Sequence, residues 1–142
     1  MIEFSAQGVA MPEIDRQSVS EWIREVAASH SRTVGNINYL FMSDEDILAA
    51  NRQFINHDYY TDIITFDYSR ADRIAGDIMI SLDTVKSNAE KFGVPYSREL
   101  MRVIIHGVLH LCGINDKGPG EREIMEANED AALALLGSMH NA

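Results

Sequence analysis

Cysteine, proline and glycine are scarce in this chain of 142 residues, at one, three and nine. The single cysteine, Cys112, can form no intramolecular disulfide, which excludes a secreted, disulfide-built scaffold. So few prolines and glycines exclude collagen-like and low-complexity architectures. Long apolar runs are missing as well. The longest, around Leu100 to Cys112, is interrupted by Arg102, His106 and His110 and is too short to cross a bilayer. Met1 to Gly8 holds no basic stretch followed by an apolar one, so neither a signal peptide nor a membrane partner is expected, and the chain reads as cytoplasmic. Basic residues are in deficit, with 12 Lys and Arg against 22 Asp and Glu, a net charge of −10. That balance argues against a nonspecific nucleic-acid coat protein, which needs a basic surface to displace counterions from phosphate. It leaves room for an enzyme with a local basic region, because the local field outweighs the total. From Arg70 to Arg102 six bases meet five acids, so the rest of the chain carries −11.

Hydrophobic residues make up 46% of the chain and charged residues 24%, the composition of one ordinary globular domain over residues 1–142. The pattern predicts a strand at Ile2–Val9 and a helix at Glu13–Ala28, whose apolar residues fall on one stripe. It predicts a second strand at Asn36–Met42, an N-cap at Ser43 and a short helix over Asp44–Phe54. Thr61–Tyr68 reads as a strand, and Gly76–Ser81 as another, entered by a Gly-Asp turn. Leu82–Phe92 is helical up to Gly93. In Ser97–Cys112 the residues Leu100, Val103, Ile104, Gly107, Val108 and Leu111 repeat at helical spacing, and Ile105 and Leu109 add a second apolar side. Most of that helix is therefore expected to be buried, with Gly113 as its left-handed stop. Glu121–Leu136 forms a last helix. Strands and helices mix without strict alternation, so the expected fold is α+β, a small mixed sheet of about four strands packed with about five helices.

His106 and His110 stand four apart on the buried helix, so their side chains leave one face a turn apart. Two readings stand for such a pair: a helical metal site, or two polar groups satisfied by nearby backbone and carboxylates. The sequence that follows favours metal. Gly113 and Asp116 complete the pattern His-x3-His-x2-Gly-x2-Asp, in which two ligands come from the helix, the glycine reverses the chain, and Asp116 returns as a third. A carboxylate oxygen binds zinc at about 2.0–2.2 Å, and three protein ligands leave a fourth position open. Asp116 can also be read as a simple turn former. Gly107 stands where a zincin peptidase carries its glutamate base, which argues against peptide hydrolysis.

The segment HGVLHLCGIND, His106 to Asp116, resembles the signature of the YbeY family of bacterial rRNA maturation endoribonucleases, His-Gly-x-Leu-His-Leu-x-Gly-x-Asp-His. Asn51 to Phe66 (NRQFINHDYYTDIITF) and Gly76 to Ser81 (GDIMIS) resemble two further blocks of that family, in family order and spacing. The resemblance implies a metallohydrolase domain with the metal site on the buried helix. It implies a metal-dependent, single-strand endoribonuclease in rRNA maturation, including 16S rRNA 3′-end processing, and in ribosome quality control. Zinc is the implied cofactor, one ion per chain held by His106, His110 and Asp116. The implied partners are single-stranded rRNA and the ribosome or a ribosomal protein, with no DNA. Two positions depart from the pattern. Asp116 and Asn115 replace the family's His and the Asp before it, and Ile55 replaces an arginine associated with RNA handling.

His57 or Arg52 can supply the positive charge absent at Ile55, or be solvated loop residues. Arg102, one turn before His106, either meets a phosphate near the metal or pairs with Glu99 or a neighbouring acid. Thr61 and Asp62 either brace the ligand-bearing helix or cap the strand start, and Asp77 reads as structural. Cys112 lies some 200° around the helix from His110 and is expected to be inert core. Two alternatives to the ribonuclease remain open: a ribosome-associated binding protein with a structural metal, and a metallohydrolase acting on a non-RNA substrate.

Overall fold

The computed structural model describes residues 1–55 and 62–140. In chain order these are β1 (Ile2–Ala6), α1 (Arg16–Ser29), β2 (Thr33–Met42), α2 (Asp44–Ala50) running into a π-helical turn (Asn51–Ile55), β3 (Ile63–Asp67), β4 (Arg73–Ser81), α3 (Leu82–Phe92), α4 (Tyr96–Leu111) and α5 (Glu121–His140). The helices begin where short polar side chains supply acceptors to orphan backbone amides. Asp15 accepts from the Ser18 amide, Ser43 from Asp46 at 3.2 Å, and Ser81 from Thr84 at 3.3 Å. The expected mixed four-stranded sheet is present in the order β1-β2-β4-β3. β1 and β4 flank β2 in parallel, and β3 pairs antiparallel with β4.

β1 starts at Ile2 as expected but ends at Ala6, and β2 and β4 start earlier than expected. β2 begins at Thr33, and its pairing with β4 slips between Val34 and Ile37, an irregularity that carries no alternation for a sequence reading to detect. β4 begins at Arg73, so Gly76 and Asp77 lie mid-strand and not in a turn. β2 on one side and β3 on the other pair with these residues, and that overrides the local turn preference of Gly-Asp. The helix expected over Asp44–Phe54 is regular only to Ala50 and then widens.

One face of the sheet, with Ile37, Tyr39, Phe41, Ile74, Ile78 and Ile80 fully buried, packs on Trp22 and Ile23 of α1 and on α4. The opposite face carries a smaller cluster, in which Ile47 and Ala50 of α2 cover Met42 and Ile64. Helix α4 is enclosed as its double apolar pattern requires: Leu100, Val103, Ile104, Ile105, Val108, Leu109 and Leu111 are all buried. Two buried donors fix its surroundings. The Tyr39 hydroxyl donates to the Ile104 carbonyl at 2.9 Å, tying α4 to the sheet, and Trp22 Nε1 donates to the Ala132 carbonyl at 2.8 Å, tying α5 to α1.

Gly107 is the closest point of this packing. A Cβ there would lie 2.8 Å from Ile78 Cδ1 and 3.2 Å from Ile63 Cδ1, so the helix rests on β3 and β4 with no room for a side chain. Overpacking of a filled core costs roughly 1–3 kcal/mol. Gly107→Ala is therefore expected to lower stability by about that amount, read as a lower urea midpoint at unchanged m-value.

Candidate metal centre

The end of α4 sets the ligand geometry. Gly113 adopts φ +92°, its amide donates to the His110 carbonyl at 2.9 Å, and the Ile114 amide donates to Leu109 at 3.0 Å. This pair of bonds is the Schellman arrangement, which a left-handed residue closes and glycine adopts without strain. Arg32 adds a donor to the Cys112 carbonyl at 3.2 Å. The reversed chain carries Asp116 back over the histidines. Its Oδ2 lies 3.3 Å from His106 Nε2 and 3.5 Å from His110 Nε2, and one ligand atom from each of the three residues falls within 4.8 Å of the others. Atoms bound at about 2.0–2.1 Å to one tetrahedral ion stand roughly 3.4 Å apart. The donor set therefore fits a divalent cation, and N2O chemistry suits zinc among others. Burial lowers the His110 pKa from its ordinary value, helped by the neighbouring His106 and opposed by Asp116, which favours the neutral, ligating imidazole.

Behind His106 lies a carboxylate that sequence reasoning missed. Glu129 of α5, only 3% exposed, places Oε2 2.6 Å from His106 Nδ1. A carboxylate facing a guanidinium accepts, so Nδ1 of His106 is the donor to Glu129 and Nε2 is the nitrogen turned toward Asp116. The guanidinium is that of Arg102. It donates to Glu99 at 2.8 and 2.6 Å and to Glu129 at 3.2 and 3.3 Å, and it lies 3.8 Å from Asp62 Oδ2. Its hydrogen bonds to Glu99 raise its pKa further above the ordinary arginine value. Of the two roles expected for Arg102, the structure displays the ion pair. The signal for Glu129 was present in the sequence: an acid four residues after Met125 and three before Ala132, both buried on the inner stripe of α5.

Beside the centre a cleft of about 580 Å³ runs between the α3–α4 corner and α5, with His106, Asp116 and Asp62 in its wall. Burial raises the Asp62 carboxyl pKa against the opposing pull of Arg102. The Asp62 carbonyl accepts from the Ser81 amide at 2.9 Å at the start of β3, and its carboxylate lies 3.8 Å from Arg102 of the ligand-bearing helix. Of the six basic residues between Arg70 and Arg102, Arg98 and Arg102 line the cleft. Asn38 donates to Asp77 at 3.2 Å, the structural role expected for that acid. Cys112 is buried and its thiol is pushed up to about 11 by burial, which makes it inert core. His57 and Thr61 lie outside the described residues.

A family model described as Endoribonuclease YbeY matches residues 4–137. The chain belongs to the YbeY family. It is 65% identical over 136 residues to the Endoribonuclease YbeY of Phocaeicola vulgatus, covering 96% of this chain and 99% of that one. It is 60% identical to the Endoribonuclease YbeY of Bacteroides thetaiotaomicron, over 94% of this chain and 98% of that one. Among solved structures, the solution structure of TM1509 from Thermotoga maritima superposes with a TM-score of 0.67 at 25% identity, covering 99% of this chain and 92% of that one. In this YbeY chain the third position of the His-x3-His-x2-Gly-x2 pattern is a carboxylate whose oxygen reaches both imidazoles.

Partners that orient a ligating histidine commonly change metal affinity 10–100-fold when removed. Glu129→Gln is accordingly expected to weaken zinc binding by about 10–100-fold in competition with a chromophoric chelator. An unchanged affinity would mean that Glu129 serves packing alone.

Proposed function

We propose that this chain is a zinc-dependent endoribonuclease that cleaves single-stranded ribosomal RNA during rRNA maturation, including the 16S 3′ end, and in ribosome quality control. The reading covers residues 1–142 as one metallohydrolase domain. The observation that carries it is a three-ligand cation site opening onto a cleft, in a chain of the YbeY family. A structural zinc takes four protein ligands, whereas among the described residues His106, His110 and Asp116 make three, which suits a site with a position for solvent or substrate. Those three residues would hold the ion. When bound, it supplies Lewis acidity toward a phosphoryl oxygen or toward the attacking water.

The chain's own residues do the rest. Glu129 fixes the ring of His106, and Arg102 acts through Glu129 and Glu99 as a positioning residue. The Gly107 contact with Ile78 and Ile63 holds the ligand-bearing helix at a fixed height on the sheet. Cleft charge couples RNA to metal. The lining has six carboxylates (Asp62, Glu99, Asp116, Glu126, Glu129, Asp130) and three arginines (Arg98, Arg102, Arg122), an excess of three negative charges that a divalent cation reduces to one. Phosphate approach is therefore favoured by the loaded centre. His57 remains a candidate for a cation near the substrate. Ribosomal contact and a cytoplasmic location belong to the same proposal; among the described residues no helix is long and apolar enough to cross a membrane.

Elemental analysis is expected to give about one zinc per chain in the protein and none in His110→Ala. Asp116→Ala should stay folded by circular dichroism and lose both zinc and cleavage of single-stranded rRNA, whereas full cleavage in that variant would overturn the model. Chelation of the wild type is expected to weaken RNA binding as well as stop cleavage. A metallohydrolase with a non-RNA substrate would hold its zinc yet leave single-stranded rRNA uncut.

A further inference from the structure

The wall of the cleft away from the ligands has a different chemistry from the centre. At the α3–α4 corner Phe92 is 55% exposed although it is one of the largest apolar side chains. Its ring faces a cleft that also takes in Val94, Met125 and Leu133. Lys91 Nζ lies 5.8 Å from the Phe92 ring centroid. Arg98, one turn before Arg102, is exposed, and among the described residues no carboxylate pairs with it. Arg122 on the opposite wall, by contrast, is held by Glu126 at 3.1 Å. An exposed aromatic ring that shares a cleft wall with an arginine held by no carboxylate among the described residues is the pairing that single-stranded nucleic acids use, with a base stacked on the ring and a phosphate on the cation. The cleft volume of about 580 Å³ falls within the roughly 300–1,000 Å³ range of sites that enclose small ligands, and the same cleft reaches His106 and Asp116.

We propose that the Phe92–Arg98 corner is a nucleotide subsite, in which an unpaired nucleobase of the strand stacks on Phe92 while Arg98 contacts a phosphate of that strand. The proposal rests on the ribonuclease reading and adds how the strand is gripped. It also supplies a physical basis for single-strand preference, because a base held in a duplex has no free face to stack. Arg98 contributes a phosphate contact from α4, a different element from that carrying Ile55.

The test uses the zinc-loaded full chain and a fluorescein-labelled, single-stranded ten-nucleotide RNA, read by anisotropy and by cleavage. Phe92→Ala is expected to weaken binding by about 5- to 150-fold, the range for loss of one base–aromatic stack, while Phe92→Trp retains it. Arg98→Ala should reduce the slope of log K against log salt by about 0.7, one phosphate contact on a single strand. Zinc content and melting temperature are expected to match the wild type in all three variants, since both side chains are exposed. Binding by Phe92→Ala equal to that of a wild type that binds and cuts the RNA would overturn the subsite alone. Failure of the zinc-loaded wild type to bind or cut any RNA would overturn the ribonuclease reading and the subsite with it.

Discussion

Glu129 sits where three demands on the structure meet. Its carboxylate is buried between the Arg102 guanidinium and the His106 ring, and Glu99, equally buried, shares the same guanidinium. Isolated charges in such a place cost several kcal/mol each, so the four groups are tolerable only together. Removing Arg102 alone would leave two carboxylates buried without their cation. The network joins α4 to α5. Its geometry also decides which nitrogen of His106 faces Asp116. Helix packing and metal chemistry are in this protein one constraint.

A second constraint acts on the other side of the same helix. α4 lies so close to β3 and β4 that residue 107 has no space for a side chain. A peptidase of the zincin type needs a glutamate at that position. Here the neighbouring isoleucines occupy the space such a side chain would need, so the absence of that glutamate has a steric cause. With its apolar faces buried, the helix turns Arg98, Glu99, Arg102 and His106 to the cleft and His106 and His110 to the centre.

The cleft is electrostatically uneven. Of its carboxylates, Glu99 and Glu129 are paired with Arg102 and Asp116 is aimed at the cation site, while the same wall also carries the exposed Phe92 and Arg98. The overall charge of −10 therefore says little about how the site meets an anion. What matters is which acids are neutralised in place, and distance and burial settle that.

Local rules were enough for much of this protein. Helical periodicity identified α4 and its burial, and the cap at Ser43 and the stop at Gly113 followed from short-range hydrogen bonding. The spacing from His106 to Asp116 pointed to the ligand set, because i, i+4 geometry and a glycine turn act over a few residues. Strand starts at Thr33 and Arg73 were not legible, since cross-strand pairing at an irregular register overrides local preference. Glu129 was overlooked because it stands 23 residues from His106, and nothing in a one-dimensional pattern brings α5 to α4. The sequence alone determined the class of fold and the three residues that can bind a cation. Only the tertiary structure decided that Arg102 is spent on Glu99 and Glu129, that Glu129 holds Nδ1 of His106, and that Phe92 and Arg98 share a cleft with that histidine. Those outcomes depend on which helices pack together, a long-range property of the buried core.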